Sequence, residues 1–372
     1  MNKSLIFIVI FLSHVAWSFS TPKNKNSNDD LKICIVGLSH GHARLVFKYL
    51  NTNKIKIVGI AESNPELIER FSKQFNLDKT LFYSNIDNML DQLKPQAVAV
   101  FTSTYDHLQV IEKCAMRGIH VMVEKPLAVN EQHAKKIQEL SLKYNIKIVT
   151  NFETTWHPAI KQMQYDVFLD KKIGEVKKIV FHDGNYGINS SGDTTEFFKW
   201  ATNPKLNGGG ALMDFGCYGI NIVTWLLKGE IPISVTAQLN NFQRKRFPNV
   251  DDDATIILNY DNLQVIILAS WNWAIPRKNI ELYGDKGYFI VDDANHYRTR
   301  TSKTNPELKF EIGKSNYPVN KPFEYFSNIV NGTITPQAFE PVTIENNIIV
   351  SQILDAAKKS AKRGKTIYLD LQ

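Results

Sequence analysis

The segment Leu31–Ala43, LKICIVGLSHGHA, decides the fold. Its first six residues are mostly apolar and predict a short buried strand, Gly37–His42 forms a turn, and a helix follows to about Leu50. Short apolar strands separated by helices then recur, at Ile55–Ala61, Ala97–Phe101, Ile119–Val123 and Ile146–Thr150. Apolar strands that alternate with helices are typical of parallel sheets, so the sequence predicts an α/β fold with a doubly wound parallel sheet.

The sequence pattern changes after Asn151. Six later segments read as mostly antiparallel strands: Val176–Asp183, Ile233–Asn241, Ala254–Tyr260, Leu263–Trp273, Asn279–Tyr283 and Tyr288–Asp292. Turn signals at Asp261–Asn262 and Gly284–Gly287 separate some of them. We therefore expect a C-terminal α+β domain with one large open sheet, ending in a helix at Glu345–Arg363. Because Val265–Ala269 is apolar on both faces, we expect a second subunit to cover the outer face in a homo-oligomer.

The composition bounds the size and class of the protein. A chain of 372 residues with 43% hydrophobic residues can form two domains, which we place at 31–150 and 151–372. The formal net charge is +7, but no long basic run occurs, so we interpret the charge as a solvated surface and expect no nucleic-acid partner. Cys34, Cys114 and Cys217 lie in apolar segments and read as core residues, and no Cys or His spacing predicts a metal site.

The first 20 residues resemble a secretory signal peptide. Lys3 gives a basic start, Leu5–Leu12 is apolar, and small residues at Ala16, Ser18 and Ser20 offer cleavage sites. A polar linker follows at 21–30. The apolar run is too short to cross a bilayer, so we expect an exported, periplasmic or secreted protein without stable membrane insertion. The alternative is an uncleaved anchor.

The turn after the first strand is the predicted site of a dinucleotide. In GLSHGH, Ser39 and His42 stand where a GxGxxG motif has its second and third glycines, and Glu62 ends the next strand. An acid there binds both ribose hydroxyls and repels a 2′-phosphate, which favours NAD, with NADP possible; the alternative is a solvated acid. The residues predicted to contact the cofactor are Gly37, Leu38, Ser39, Gly41, His42, Glu62, Thr102, Ser103, His107 and Glu124. His107 could instead cap its own helix.

Two segments carry the predicted chemistry. In GGGALMDFGCYGINIVTWLL, Gly208–Leu227, three glycines precede a helical pattern that places Asp214 and Tyr218 on one face. The glycines would free the first N–H groups of the helix for a ligand, although an ordinary buried helix is the alternative. In VEKP, Lys125 follows a strand and could help a substrate hydroxyl to lose its proton, with its pKa lowered by burial and a positive ring. The bond between Lys125 and Pro126 could be cis.

Further polar and aromatic residues are candidates for the substrate pocket. Aromatic rings stack on the C–H faces of sugars, and His, Asp or Arg side chains bond to hydroxyls or a carboxylate. The candidates are Trp156, His157, Tyr186, Asp193, Trp200 and Arg277. The alternative for each is a core or surface role. Trp271 and Trp273 alternate in a strand and read as structural.

These motifs together resemble the Gfo/Idh/MocA oxidoreductases, and within them the glucose-fructose oxidoreductase branch. The resemblance covers Leu31–Leu369 and is carried by VEKP, GGGALMDFGCY, TSTYDHLQVIEKCAMRGIHV at Thr102–Val121, and ELYGDKGYF. It implies a Rossmann domain, an open-sheet domain that often mediates oligomers, and a tightly held nicotinamide cofactor. Lys125 would match the lysine of the Glu-Lys-Pro motif and Asp214 the aspartate that orients substrate. Tyr218 stands where many relatives have histidine and this branch has tyrosine.

The resulting prediction is an exported NAD(P)-dependent oxidoreductase that acts on a sugar or polyol hydroxyl. The hydroxyl proton would pass to Tyr218 or Lys125, while Asp214 holds a neighbouring hydroxyl. Little free NAD exists outside the cytoplasm, so the cofactor should stay bound and be restored within each cycle. One alternative is a redox-neutral glycosidase or lyase that acts on a glycoside, and another is a non-catalytic sugar-binding sensor.

Overall fold

The computed structural model describes residues 30–48, 55–189, 195–313 and 321–369. The predicted signal peptide, nearly all of the linker and the candidate substrate residue Asp193 lie outside these ranges. Among the helices of the described residues, none is long and apolar enough to cross a membrane.

The N-terminal sheet has six parallel strands in the order β3-β2-β1-β4-β5-β6. The strands are β1 Leu31–Val36, β2 Ile55–Ala61, β3 Phe82–Tyr83, β4 Ala97–Val100, β5 His120–Glu124 and β6 Ile148–Asn151. The helices between them are α1 Ala43–Lys48, α2 Pro65–Phe75, α3 Ile86–Leu93, α4 His107–Ala115 and α5 Glu131–Tyr144. This order confirms the predicted doubly wound sheet. Because the order reverses between β1 and β4, a crevice lies outside their carboxyl ends, where nucleotides bind in such folds.

Local sequence signals fix the ends of these helices. Asn64 and Asn130 are N-caps whose side chains accept hydrogen bonds from the N–H groups of Glu66 and His133. Pro65 occupies the first turn of α2, where its missing N–H costs nothing. These caps hold α2 and α5 at the carboxyl ends of β2 and β5, and so they shape the rim of the crevice.

The C-terminal sheet has nine strands in the order β14-β13-β12-β11-β7-β10-β9-β8-β15. They are β7 Val176–Gly184, β8 Ser234–Asn240, β9 Asp253–Asn259, β10 Gln264–Ser270, β11 Arg277–Gly284, β12 Tyr288–Val291, β13 His296–Arg300, β14 Leu308–Glu311 and β15 Ile367–Tyr368. Seven of the eight neighbouring pairs are antiparallel, and β7 with β10 is parallel. The predicted large, mostly antiparallel sheet is therefore confirmed.

The described residues of the C-terminal half also form six α-helices. They are α6 Pro158–Met163, α7 Thr195–Ala201, α8 Pro204–Asn207, α9 Cys217–Leu226, α10 Pro322–Val330 and α11 Ile344–Arg363. Of these, α9 and α11 contact the nine-stranded sheet or its neighbours, and α10 contacts β2 of the first sheet. Helix α9 packs closely on the sheet, since a Cβ at Gly219 would lie 2.9 Å from Ile267 Cγ1 and 3.0 Å from Phe181 Cγ. Helix α11 contacts α5, α9 and β8, and thereby joins the two sheets.

The predicted single helix after the three glycines is two elements. Leu212–Gly216 is a π-helical segment, and α9 begins only at Cys217. Asp214 lies in the π segment and Tyr218 in the first turn of α9. Asn221, further along α9, is fully buried and donates to the Pro341 carbonyl and to Asn346 Oδ1. Asn221 therefore makes a structural contact with α11.

Candidate active site

The centre of the site is an ion pair between Lys125, just after β5, and Asp214. Lys125 Nζ donates to Asp214 Oδ1 over 2.5 Å and to the Asp214 carbonyl oxygen over 2.9 Å. Trp271 Nε1 donates to the other carboxylate oxygen, Oδ2, over 3.0 Å. Lys125 and Trp271 are both buried, and the bond between Lys125 and Pro126 is cis, as the sequence suggested. The ion pair thus joins the end of β5 in the first sheet to the π-helical segment of the C-terminal half.

The pairing shifts the pKa of both groups. Burial alone would lower the pKa of Lys125, but the Asp214 carboxylate outweighs burial and the pKa of Lys125 is raised. Burial would raise the pKa of Asp214, but Lys125 and Trp271 hold it below its ordinary value. The predicted lowering of the Lys125 pKa is therefore wrong, because the Asp214 charge was not included. Lys125 is therefore protonated, and its ammonium group donates hydrogen bonds to Asp214.

The three glycines serve packing rather than ligand binding. A Cβ at Gly210 would lie 1.8 Å from the Asp251 carbonyl oxygen, and one at Gly208 would lie 2.7 Å from that of Val129. The N–H groups of Gly210 and Leu212 both donate to the Asp251 carboxylate. The expectation that these N–H groups face a ligand is wrong, since the half-buried Asp251 carboxylate already accepts them. The same bonds hold the π segment that carries Asp214.

Tyr218 lies beside the ion pair as a neutral phenol. Lys125 Nζ is 5.1 Å and Lys278 Nζ is 4.0 Å from the centroid of its ring, and Phe152 packs edge-on against it. Burial, together with nearby carboxylates such as Glu153, raises the pKa of Tyr218 well above its ordinary value. Tyr218 therefore keeps its proton and can donate a hydrogen bond, which disfavours its predicted role as the acceptor of the hydroxyl proton.

The dinucleotide crevice is a cavity of about 430 Å³ at the carboxyl ends of β1, β2 and β4. Gly37 has a φ of +77°, and a Cβ there would lie 2.7 Å from Thr102 Cγ2. Glu62 accepts hydrogen bonds from the N–H groups of Leu38, Ser63 and Asn64, each over 2.9 Å. The predicted cofactor residues that line it are Gly37, Ser39, Glu62, Thr102 and Ser103. A fixed acid beside a glycine turn fits the ribose and pyrophosphate of NAD.

Helix α7 of the C-terminal half covers this crevice. Phe197 and Trp200 lie with ring centroids 5.0 and 5.7 Å from His40, in the glycine turn. Arg70 Nη2 on α2 bonds to Glu196 Oε2 over 2.7 Å. Trp200 lines the nucleotide cavity, so its predicted role in the substrate pocket is wrong; sequence distance gave no indication that α7 returns to the first domain.

His42 and Glu124 link the glycine turn to β5. His42 Nδ1 lies 2.9 Å from Glu124 Oε2, and Asn151 Nδ2 donates to Glu124 Oε1 over 2.8 Å. Burial would raise the pKa of Glu124, but the charge and hydrogen bond of His42 lower it to about 2. Trp156 Nε1 donates to Asn151 Oδ1, and Trp156 and His157 line a cavity of about 250 Å³ next to Glu124. The hydrogen bonds therefore connect the glycine turn with this smaller cavity.

Two histidines near this network have structural partners. His107 is buried and Nδ1 lies 3.1 Å from the Leu127 carbonyl oxygen, so the histidine supports the start of α5 instead of contacting a cofactor as predicted. His40, His42 and Glu124 have possible metal-ligand atoms within 4.8 Å of one another, which no spacing suggested. However, His40 Nδ1 accepts the backbone N–H of His42, and His42 pairs with Glu124. Each of these three side chains therefore already has a hydrogen-bond partner.

A third cavity, which we call the sheet-side cavity, has a volume of about 590 Å³ and lies against the C-terminal sheet. Lys278, which lines it, contacts the ring of Tyr218. It is lined by polar and charged residues, among them Glu153, His157, Asp183, Arg277 and Lys278. Lys278 Nζ bonds to Glu153 Oε2 over 2.8 Å and lies 4.0 Å from Asp183 Oδ1. The predicted pocket residues His157 and Arg277 are brought together here. Tyr186 is largely exposed, and Gly41 has open space where a side chain would stand.

Sequence reasoning missed several residues of the site. Trp271 was interpreted as structural, although its indole fixes Asp214. Asp183 and Lys278 lie in segments that the sequence predicts only as strands, with no sign of a site. The register that pairs them across β7 and β11 depends on the three-dimensional fold. A polar residue at the end of an otherwise apolar strand was the available signal, because strand ends border pockets.

Comparisons with known proteins agree with this geometry. Residues 31–152 match the model of the oxidoreductase family with an NAD-binding Rossmann fold, and residues 130–290 match that of the GFO/IDH/MocA C-terminal domain. Trans-1,2-dihydrobenzene-1,2-diol dehydrogenase of Xenopus tropicalis is 27% identical over 71% of this chain and 76% of its own. Levoglucosan dehydrogenase of Pseudarthrobacter phenanthrenivorans is 26% identical over 50% of this chain and 46% of its own.

Solved structures show the same fold. Aldose-aldose oxidoreductase from Caulobacter crescentus, complexed with glycerol, aligns with a TM-score of 0.77 at 21% identity, covering 91% of this chain and 100% of that chain. An inositol dehydrogenase homolog from Azotobacter vinelandii, complexed with NAD+, aligns with a TM-score of 0.78 at 18% identity, covering 93% and 99%. With the Rossmann crevice, the Lys125–Asp214 pair and the matched domains in place, the chain belongs to the Gfo/Idh/MocA family and is an NAD-binding oxidoreductase.

Proposed function

We propose that this protein oxidises a hydroxyl group of a sugar or polyol at the Lys125–Asp214–Tyr218 site. The observation that carries the proposal is the buried Lys125–Asp214 ion pair, which lies beside the ring of Tyr218. Bound NAD+ supplies the hydride acceptor, held by the glycine turn and Glu62. The chain's own residues supply orientation and charge.

Each residue of the site has a distinct task in this proposal. The Lys125 ammonium donates a hydrogen bond to the reacting oxygen and stabilises the negative charge that develops as the hydroxyl is deprotonated. Asp214 holds Lys125 in place and is itself fixed by Trp271, so it orients the lysine and not the substrate. Tyr218 stays protonated and donates a second hydrogen bond to the substrate. Two donors at one oxygen favour its alkoxide-like transition state over the neutral alcohol.

The substrate class follows from the lining of the sheet-side cavity. Acids and bases alternate there with few apolar groups, which suits a ligand with many hydroxyls. The relatives named above act on a diol, on levoglucosan and on aldoses, and one structural neighbour is an inositol dehydrogenase homolog. Tyr218, in place of histidine, supports placing the chain in the glucose-fructose oxidoreductase-like branch.

We also propose that the protein is exported and keeps its cofactor between turnovers. The basic start, apolar run and small residues within 1–20 support export. The cover formed by α7, with Phe197 and Trp200 against His40 and the Arg70–Glu196 bond, supports slow release of a nucleotide. Cell fractionation and N-terminal sequencing test export, with a mature N-terminus near Thr21 expected. An intact N-terminus on cytoplasmic protein would contradict it.

The oxidoreductase proposal is tested by nucleotide content and turnover together. Purified protein is denatured and the released nucleotide identified, and protein loaded with NAD+ is then mixed with a panel of aldoses, inositols and 1,2-diols. We expect stoichiometric NAD and reduction of the cofactor by some of the panel. Replacing Lys125 alone leaves the Asp214 charge buried and unpaired. The matched variants are therefore Lys125→Met and the neutral pair Lys125→Met with Asp214→Asn, both expected to bind NAD without turnover.

A second candidate is redox-neutral cleavage of a glycoside, in which glycoside and water give two hydroxylated products without net oxidation. The observation that favours it is an additional carboxyl, Asp183, in the cavity beyond the ion pair, since such cleavage needs a further acid or base. Product analysis separates the two candidates. Cleaved glycoside with unchanged oxidation state supports cleavage, whereas intact glycosides and oxidised free sugars support the first proposal.

We further propose a homo-oligomer formed through the outer face of the nine-stranded sheet. Ile257, Ile266, Leu268 and Val180 share this face and are half-exposed, although their strand neighbours are buried. The register places Ile266 opposite both Ile257 and Val180, so these apolar side chains form one patch. Light scattering of the wild type and of Ile266→Asp tests this. If the wild type and Ile266→Asp both had the mass of a single chain, the proposal would be contradicted.

A further inference from the structure

Asp183 is a buried carboxyl to which the oxidation proposed above assigns no task. It lies near the end of β7 and is 4% exposed, and its Oδ1 has no hydrogen-bond partner among the described residues. Lys278 stands opposite it in the register of β7 and β11, but the ammonium is 4.0 Å from Oδ1 and bonds to Glu153 instead. An unpaired buried oxygen is costly, so its position in a cavity wall calls for an explanation.

The groups around Tyr218 differ in their ability to accept a proton. The pKa values of Lys125 and Tyr218 are raised, so both already carry their protons at neutral pH. Asp214 and Glu153 have lowered pKa values and are weak bases. Burial raises the pKa of Asp183 to about 7, although Lys278 opposes this rise. A base works best when its pKa is near the working pH, and Asp183 meets that condition.

We propose that Asp183 is a catalytic residue whose carboxylate accepts the hydroxyl proton of the substrate in the sheet-side cavity. This inference rests on the proposed function. The O–H bond breaks and its proton moves to the Asp183 carboxylate, while the C–H bond breaks and its hydrogen leaves with both electrons to NAD+. Lys125 and Tyr218 hold the oxygen during the transfer. In the reverse direction Asp183 returns the proton.

The charges that face Asp183 set the pH at which it works. Lys278 and Lys125 lower its pKa, and Asp214 and Glu153 raise it. Lys278 is therefore a positioning residue for Asp183. Replacing its ammonium with an uncharged side chain of similar length removes the larger of the two lowering influences and should move the titration of Asp183 to higher pH.

The kinetic test is the pH dependence of kcat/KM for the NAD-loaded protein with its best sugar. The wild type is expected to gain activity as pH rises through about 7. Asp183→Asn is expected to lose about 10²–10⁴-fold and to lose this pH dependence, with NAD content unchanged. In Lys278→Met the rise in activity should move to higher pH, and in Lys278→Arg it should return to the pH of the wild type. Asp261→Asn, at the exposed turn between β9 and β10, is the control.

Two kinetic results would overturn the inference. One is an unchanged pH profile in Asp183→Asn, and the other is a profile abolished by His157→Gln, since His157 is the competing base in the same cavity. Infrared titration of the protonated carboxyl band, assigned by its loss in Asp183→Asn, needs no turnover. Loss of that band near pH 4 in place of pH 7 also overturns it. A wild type that turns over no sugar rejects the proposed function, and the infrared titration still decides whether Asp183 exchanges protons near neutrality.

Discussion

Asp183 makes the folded protein less stable as pH rises, and Asp183→Asn should show this directly. The pKa of Asp183 is raised by burial from 3.8 to about 7 in the folded state. The folded protein therefore favours the neutral acid. Its stabilising effect is complete below pH 3.8 and is lost as pH rises to about 7. Asparagine has a similar size and no charge, so the variant avoids this loss.

The size of the effect follows from the same pKa values. A rise from 3.8 to about 7 corresponds to about 4 kcal/mol between the fully protonated and fully ionised limits. Part of this difference is already present at pH 5, so between pH 5 and pH 8.5 the stability of Asp183→Asn relative to wild type should increase by about 2–3 kcal/mol. As pH rises, the free energy of unfolding of Asp183→Asn should therefore increase relative to that of the wild type.

Urea denaturation at several pH values between 5 and 8.5 measures this difference. Asp261→Asn, which replaces an exposed carboxylate at the turn between β9 and β10, is the control variant. A difference between Asp183→Asn and wild type that is independent of pH would refute the reasoning. So would a variant that loses stability relative to wild type as pH rises.

Three further predictions concern other parts of the site. Trp271→Phe removes the hydrogen bond to Asp214 Oδ2 and should lower the free energy of unfolding by about 1–3 kcal/mol, measured by urea denaturation. Gly219→Ala places a Cβ 2.9 Å from Ile267 Cγ1 and should destabilise α9 against the sheet by about 1–3 kcal/mol in the same assay. Glu196→Gln breaks the charged bond to Arg70 and should speed the release of bound NADH after dilution, read from the fluorescence of the reduced nicotinamide, whereas unchanged release would show that α7 is not a cover.

The features that local sequence determines were predicted well. The apolar strands β1, β2 and β4, the helix after Pro65 and the position of Glu62 follow from periodicity, caps and spacing. The large second sheet was also predicted, because β7 to β12 have apolar alternation and turn signals. The short or polar strands β13, β14 and β15 lack these signals and were missed.

The site could be predicted only in part, since its partners come from distant elements. Lys125 and Asp214 were identified by their motifs, but their ion pair and its effect on both pKa values depend on packing between the two sheets. Trp200 was assigned to the wrong cavity because nothing local shows that α7 crosses to the glycine turn. Asp183 was overlooked because burial, which sets its pKa, is a property of the fold.

The central claim is that the Lys125–Asp214 site uses bound NAD to oxidise a sugar or polyol hydroxyl. The most direct measurement is a single-turnover experiment that follows the near-ultraviolet absorbance of reduced nicotinamide after NAD-loaded protein is mixed with each sugar of the panel. We predict stoichiometric reduction by at least one sugar in the wild type and none in the Lys125→Met, Asp214→Asn double variant at equal NAD content. Equal reduction in both proteins, or none in the wild type with any sugar, would contradict the claim.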